Sequence, residues 1–232
     1  MKIGILQTGH FPDILQDTLG NYETMFSKLL GGHGLTFQLW SVVDMEFPDS
    51  IDDADGWLVT GSKHGAYEDH AFIPPLEDFI RAADHAKLPM IGVCFGHQII
   101  AQALGGRVEK FEDGWCVGRT EYAGKERQIS LNAWHQDQVV ERPERARVLA
   151  SSDTCENAIL AYGDHIWTVQ AHPEFGPDHI KALAETRGKG LVPQELLDDA
   201  VERTAKTTDR LEVGAKMAGF FLRAKKRSEA AA

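Results

Sequence analysis

The stretch Ile91-Gly92-Val93-Cys94-Phe95-Gly96-His97-Gln98 decides the fold of this chain. The apolar run at residues 89–93 predicts a short buried strand, and an apolar helical pattern follows the cysteine at once. Glycines stand two residues before and two residues after Cys94, and they relieve crowding where the backbone turns sharply from strand to helix. This layout is a nucleophile elbow of the form G-x-C-x-G.

The elbow predicts a reactive cysteine. It places the Cys94 thiol at a helix N-terminus, where the helix dipole favours the thiolate. A cysteine that follows a strand is more often a small buried hydrophobic residue. The flanking glycines favour the first interpretation, and we predict that Cys94 is a nucleophile.

Apolar strands alternate with amphipathic helices on either side of the elbow. Strands are predicted at residues 2–7, 35–43, 57–59 and 166–170, and helices at 18–30, 75–83 and 97–104. Such alternation with short connections is typical of an α/β fold with an open, mainly parallel central sheet and helices on both faces.

The sequence pattern changes after the predicted helix that follows Cys94. Between residues 107 and 162 short β-rich pieces are separated by Gly, Asp, Asn and Pro, which predicts additional antiparallel strands. The portion from Pro177 onward is helical in pattern. We expect one domain over residues 1–232, with a core of about 1–176 and a C-terminal helical extension of about 177–232.

Composition excludes several classes of protein. The 232-residue chain has 24 Lys+Arg and 35 Asp+Glu, a net charge of −11, which argues against nucleic-acid or anionic-membrane binding. Its three cysteines are widely spaced and form no CxxC pair, so we predict no disulfide framework and no metal site. The first residues do not form a signal peptide and no stretch reaches transmembrane length, so we expect a cytoplasmic protein.

A cysteine nucleophile needs a base, and the base needs an orienting group. His172 follows the predicted strand at 166–170, and catalytic groups in open α/β sheets collect at the carboxyl ends of strands. Pro173 favours extended geometry at His172, and residues two apart in an extended chain face the same side. We therefore predict that Cys94, His172 and Glu174 act as nucleophile, base and orienter.

Backbone donors are expected for the oxyanion. In an elbow one donor is the residue after the nucleophile, here Phe95. The segment containing Gly61 and Ser62 directly follows the predicted third strand and is the candidate for the second donor, although it could also be a simple turn. The His172-x-Glu174 pattern also suggests a zinc deaminase, but the P-C-x-x-C part of that signature is absent from the sequence.

These pieces together resemble the class I (triad-type) glutamine amidotransferases. Residues 92–98 resemble the nucleophile motif of the family, residues 171–175 its His-Pro-Glu motif, and residues 60–63 its oxyanion strand. Residues 134–139 are similar to the His-x-Asp segment of the glutaminase domain of GMP synthase. The order and separations match over roughly residues 3–175.

The resemblance implies a flavodoxin-like amidotransferase fold and a reaction without cofactors. Cys94 would attack the glutamine side-chain amide, and a γ-glutamyl thioester would then be hydrolysed to glutamate. Gln98 would help to hold the substrate, with His135 and Asp137 bordering the pocket; a polar turn between two strands is the alternative for these last two. Many family members have Gly-Gly-Pro where this chain has Gly61-Ser62-Lys63, so which amide points into the site stays open.

The destination of the released nitrogen separates the functional hypotheses. No G-x-x-x-x-G-K-[ST] phosphate loop occurs, and the helical segment after Phe175 is too short for an ATP-using synthase domain. The first hypothesis is a glutaminase that passes ammonia to an unseen synthase partner. The alternative is a stand-alone γ-glutamyl hydrolase or peptidase. Some single-domain members of the family resemble this chain and have that activity. A non-catalytic binding or redox-sensing module is a minor third hypothesis. The sequence does not indicate an oligomeric state.

Overall fold

The computed structural model describes residues 1–231, with side chains to residue 227. The strands are β1 (Lys2–Leu6), β2 (Thr36–Trp40), β3 (Gly56–Val59), β4 (Met90–Val93), β5 (Arg107–Lys110), β6 (Cys116–Gly124), β7 (Gln128–His135), β8 (Asp137–Glu141), β9 (Ala146–Ser152), β10 (Cys155–Tyr162) and β11 (Ile166–Val169). The helices are α1 (Asp13–Leu19), α2 (Tyr22–Leu29), α3 (Ile73–His85), α4 (Phe95–Ala103), α5 (Pro177–Glu185), α6 (Gln194–Arg203) and α7 (Arg210–Ala231). Two short 3-10 helices lie at Val42–Asp44 and Ile51–Asp53.

A nine-stranded sheet organises these elements in the order β2-β1-β3-β4-β11-β10-β9-β6-β7. The pairings from β2 to β11 are all parallel, and those from β11 to β7 are all antiparallel. A separate antiparallel pair joins β5 to β8. The predicted α/β fold, with a mainly parallel sheet, added antiparallel strands and a helical C-terminal portion, is confirmed.

Hydrophobic clusters cover both faces of the sheet. Leu58 belongs to one cluster, whereas its neighbours Trp57 and Val59 belong to the other, as expected because successive strand residues point to opposite faces. All three are 0% exposed, which is typical of a parallel strand that has helices on both sides. Phe221 of α7 is fully buried in the Leu58 cluster, so α7 packs against the core.

The structure differs from the sequence prediction in two elements. The single helix predicted at 18–30 is two helices, because Gly20 adopts a φ of 84° and the Asn21 side chain then caps α2 by accepting from the Thr24 amide. Strand β6 was not predicted, since its polar sequence lacks an apolar run. It forms because it pairs with β7 over residues 116–123.

The topology collects loops at one edge of the sheet. The carboxyl ends of the parallel strands β1, β3, β4 and β11 all lie at this edge, since parallel strands end on the same side. Cys94 follows β4 directly, and His172 follows β11 after a short connection. Within residues 1–231 there is no helix whose length and apolar character would let it cross a membrane. The assignment of residues 1–232 to one domain stays a prediction.

Candidate active site

The elbow holds Cys94 in a strained backbone conformation. Cys94 lies between β4 and α4 with a φ of 52° and a ψ of −104°. Residues other than glycine rarely adopt this backbone conformation. A Cβ atom on Gly92 would lie 2.4 Å from the Gly96 carbonyl oxygen, and one on Gly96 would lie 2.2 Å from the Val59 carbonyl oxygen. Both flanking glycines are therefore required by close backbone approach. Helix α4 begins at Phe95, earlier than the predicted start at residue 97.

The structure brings His172 and Glu174 together beside Cys94. The Nδ1 atom of His172 lies 2.7 Å from the Oε1 atom of Glu174, and both side chains are buried. Because Nδ1–H donates to the carboxylate, Nε2 is the ring nitrogen left for the thiol. Burial lowers the pKa of His172, but the negative charges of Glu174 and Cys94 outweigh burial and raise this pKa to about 10.

Two neighbours fix the orientation of the His172 segment. The backbone amide of His172 donates to the Asn132 carbonyl oxygen at 2.8 Å, and the Asn132 side chain donates to the Phe175 carbonyl oxygen at 3.0 Å. The Phe175 ring stacks on the His172 ring with centroids 4.1 Å apart. Strand β7 therefore positions His172, a contribution that the sequence did not reveal.

Helix α7 also holds this segment from the far end of the chain. The guanidinium group of Arg210 donates to the carbonyl oxygens of Pro173 at 3.2 Å and Glu174 at 3.3 Å. The preceding residue, Asp209, accepts from the Ser130 amide at 2.7 Å. The start of α7 thus ties the segment of His172 and Glu174 to β7.

Gly61 borders two of the predicted catalytic residues, His172 and Cys94. A Cβ atom on Gly61 would lie 2.9 Å from Cε1 of His172 and 3.7 Å from Cβ of Cys94. The Ser62 hydroxyl instead donates to the Thr8 carbonyl oxygen at 2.7 Å, so it is committed to the loop after β1. Phe95 is the first residue of α4, and an amide at that position has no partner inside the helix.

A pocket of about 240 Å³ opens over Cys94 and His172. Its wall also contains the predicted residues Ser62, Gln98, His135 and Asp137. Further lining residues that the sequence did not indicate come from segments far apart in the chain, and include Tyr22, Tyr67, Trp115, Trp134 and Arg187. No spacing pattern connects them, because the fold alone brings them together.

Gln98, His135 and Asp137 form a connected group at the pocket. The Gln98 side chain donates to the Asp137 carbonyl oxygen at 2.8 Å and to Oε1 of Gln170 at 3.2 Å. Nδ1 of His135 donates to the same carbonyl at 3.2 Å, and burial together with the charge of His172 lowers the pKa of His135 to about 3. Burial raises the pKa of Asp137, whose carboxylate accepts from the Tyr67 hydroxyl at 3.2 Å. Their roles in substrate binding stay predictions.

Three residues in the loop after β3, of which His64 and Glu68 line the pocket, could hold a metal ion. The candidate ligand atoms of His64, Glu68 and His70 lie within 4.8 Å of one another. They also contact one another directly, since Glu68 Oε2 lies 2.8 Å from His70 Nε2. These contacts stabilise the loop after β3 without a metal. Among the residues that the structure describes, no other such group occurs.

Comparison with known proteins places this chain in a family. Residues 35–184 match the family model described as glutamine amidotransferase class-I. Gamma-glutamyl peptidase 3 of Arabidopsis thaliana is 31% identical over 206 residues, which cover 81% of this chain and 83% of that protein. A glutamine-hydrolyzing GMP synthase subunit of Methanocaldococcus jannaschii is 37% identical over 190 residues, which cover 75% of this chain and 97% of the archaeal protein. The crystal structure of a glutamine amido transferase from Methylobacillus flagellatus superposes with a TM-score of 0.75 at 20% identity and covers 97% of this chain and 94% of that one.

Proposed function

The chain belongs to the class I glutamine amidotransferase family of enzymes, and from this premise we propose that it cleaves γ-glutamyl amide bonds with Cys94, His172 and Glu174. The observation that carries the proposal is the buried 2.7 Å contact of Glu174 with His172, which lines the same pocket as Cys94. A nucleophile, a base and an orienting carboxylate are thereby available at one sheet edge.

In the first half-reaction the Cys94 sulfur attacks the γ-carbonyl carbon of the substrate, and the thiol proton resides on Nε2 of His172. The tetrahedral oxyanion accepts hydrogen bonds from backbone amides, for which Phe95 and the Gly61–Ser62 segment are the candidates. The imidazolium then gives its proton to the leaving nitrogen. The C–N bond breaks, an amine leaves, and a γ-glutamyl thioester of Cys94 remains.

In the second half-reaction water attacks the thioester carbonyl. His172 takes one proton from that water, the C–S bond breaks, and the γ-carboxyl group of glutamate leaves and loses the second proton to solvent. The proton on His172 returns the site to its starting state. Glu174 keeps Nδ1 protonated throughout, so that Nε2 is always the nitrogen that exchanges protons.

The leaving nitrogen is proposed to belong to a peptide or another γ-glutamyl amine, so that the chain acts alone. This places the alternative sequence hypothesis first. The similarity to gamma-glutamyl peptidase 3 extends over 81% of the chain. Part of the pocket wall consists of Leu183, Arg187 and Leu191, which are supplied by α5 and the loop that follows it. Such a wall provides contacts beyond the γ-glutamyl group, which a longer substrate would use.

Glutamine hydrolysis with transfer of ammonia to a synthase partner is the second candidate function. The similarity to the archaeal GMP synthase protein, which extends over 97% of its length, favours it. In this case the same triad would act on the glutamine side chain, and the amine released would be ammonia. A cytoplasmic location stays an expectation from the sequence under either function.

Turnover by the purified chain separates the two functions. Glutamate release from γ-glutamyl dipeptides, γ-glutamyl amines and glutamine is measured at equal concentrations. We expect dipeptides to be cleaved faster than glutamine, and the Cys94→Ala variant to lose all of these activities. Turnover of glutamine alone, or no turnover by the isolated chain, would favour the partner-dependent amidotransferase. Full activity of Cys94→Ala would overturn both proposals.

A further inference from the structure

Arg187 presents a guanidinium group to the pocket without a partner of its own. It lies two residues beyond the end of α5, is half-buried, and lines the pocket. Among the residues with described side chains, no carboxylate pairs with it and no acceptor takes a hydrogen bond from it. A guanidinium group has five donors and stays charged at all relevant pH values, so this site favours a planar anion such as a carboxylate.

The charges around the pocket favour an anionic ligand. Three cations line it, Lys63, Lys110 and Arg187, although the chain as a whole has a net charge of −11. The two acidic residues of the wall already have partners: Asp137 accepts from Tyr67, and Glu68 contacts His70. Lys63 and Lys110 form no ion pair within residues 1–227. The wall therefore has three cationic side chains against two carboxylates, and Arg187 has no partner within residues 1–227.

Arg187 lines the same pocket as the proposed nucleophile Cys94, so that one bound substrate can contact both residues. Burial and the charges of Glu174 and Cys94 raise the pKa of Tyr22 well above its ordinary value, and the positive charge of Arg187 opposes that rise. The Tyr22 hydroxyl is 3.4 Å from the position of a Cβ atom on Gly61, which itself is 3.7 Å from Cβ of Cys94. Tyr22, Arg187 and Cys94 thus line the same pocket.

A γ-glutamyl dipeptide carries two carboxylates, one on the γ-glutamyl residue and one on the leaving residue. The family-model match at residues 35–184 contains Gln98, His135 and Asp137 and ends before Arg187. Gln98, His135 and Asp137 are the residues predicted to lie around the γ-glutamyl group, which glutamine and γ-glutamyl peptides share. Arg187 lies outside the matched segment, where it can contact the part of the substrate that differs.

We propose that Arg187 binds the free carboxylate of the leaving residue, and that the substrates are γ-glutamyl peptides with an unblocked C-terminus. The inference rests on the proposed peptidase function. Half-buried Trp115 and Trp134 line the same pocket and supply aromatic surface for the side chain of the leaving residue. A charge-assisted hydrogen bond to the carboxylate orients the scissile amide over Cys94.

The test compares γ-glutamyl-phenylalanine, the same dipeptide with a C-terminal amide, and glutamine. In Arg187→Ala we expect kcat/KM for the free acid to fall roughly 10- to 100-fold, as for the loss of a charge-assisted hydrogen bond. The values for the amide and for glutamine should stay within about twofold of the unmodified chain. Arg187→Lys should recover part of the loss, because it keeps the charge but not the planar fork. Lys189→Ala is the matched control, since Lys189 is exposed in the same loop and does not line the pocket.

Equal losses on all three substrates would place Arg187 at the γ-glutamyl group and overturn the proposal. An unchanged preference for the free acid over the amide would also overturn it, while leaving the proposed peptidase function intact. Binding of the free acid and the amide to the Cys94→Ala protein, measured by calorimetry, tests Arg187 without turnover. Absent hydrolysis with Arg187-dependent binding of the free acid would reject the peptidase function but keep the carboxylate site.

Discussion

Replacing Glu174 with glutamine tests how much the buried carboxylate contributes. Glu174 Oε1 lies 2.7 Å from His172 Nδ1, and the two side chains are 0% and 4% exposed. At an effective dielectric constant of about 20, opposite unit charges at this separation attract by about 6 kcal/mol. Glutamine keeps the size and one hydrogen bond worth about 1 kcal/mol, but it removes the charge.

The variant should lose rate rather than substrate affinity. Structural relaxation recovers part of the lost attraction, so we expect the imidazolium to be destabilised by about 3 to 5 kcal/mol. Because about 1.4 kcal/mol corresponds to a factor of ten in rate, kcat on a γ-glutamyl dipeptide should fall roughly 10²- to 10⁴-fold. KM should change little, since the Glu174 carboxylate does not line the pocket.

The pH dependence of the free energy of unfolding provides a second measurement, and the direction of the expected change is known. The pKa of His172 is raised from 6.5 to about 10, so its protonated form contributes stability that is fully present below about pH 6.5 and is lost as the pH rises to about 10. Urea unfolding of the unmodified chain should therefore show this loss, and Glu174→Gln should largely abolish it. NMR titration of the His172 ring should show a lower pKa in the variant.

Glu185→Gln is the control, because Glu185 is an exposed acid at the end of α5 and does not line the pocket. It should leave kcat and the pH dependence of unfolding unchanged. Undiminished kcat in Glu174→Gln would refute the orienting role of the carboxylate. A loss as deep as that of Cys94→Ala would show that Glu174 does more than orient and stabilise the base.

Three further substitutions test the geometry. Gly61→Ala should cut kcat at least tenfold while the protein still folds, because the new Cβ atom would lie 2.9 Å from the His172 ring; circular dichroism and kinetics check this. Gly92→Ala should instead give little folded protein, since its Cβ atom would lie 2.4 Å from the Gly96 carbonyl oxygen, and soluble yield and thermal melting would reveal an unexpected tolerance. Arg210→Met should lower both the melting temperature and kcat, because it removes the donors to the carbonyl oxygens of Pro173 and Glu174, and a normal kcat would mean that α7 does not position the base.

The parts predicted from the sequence are those governed by local chemistry. The elbow could be predicted from the sequence because the glycines that its close backbone contacts require lie within two residues of Cys94. The contact between His172 and Glu174 could be anticipated because the intervening proline restricts the backbone, and it is present at 2.7 Å. The catalytic roles themselves stay predictions.

The parts that could not be predicted depend on tertiary packing. Strand β6 has no apolar run, and pairing with β7 makes it a strand. Asn132 and Arg210 reach the catalytic segment from β7 and α7, and no sequence spacing relates them to His172. Arg187 lies beyond the matched family segment, so no motif points to it, and only the fold brings it to the pocket wall.

The left-handed backbone of Cys94 has a consequence for engineering and selection. Holding a cysteine at a φ of 52° costs on the order of 1 to 3 kcal/mol, which glycine at the same position would not incur. A library sorted only for thermal stability or expression would therefore enrich Cys94→Gly, the substitution that removes the proposed nucleophile. Consensus or stability-driven redesign of this chain should keep residue 94 fixed, because a substitution that raises stability at this position removes the proposed catalytic activity.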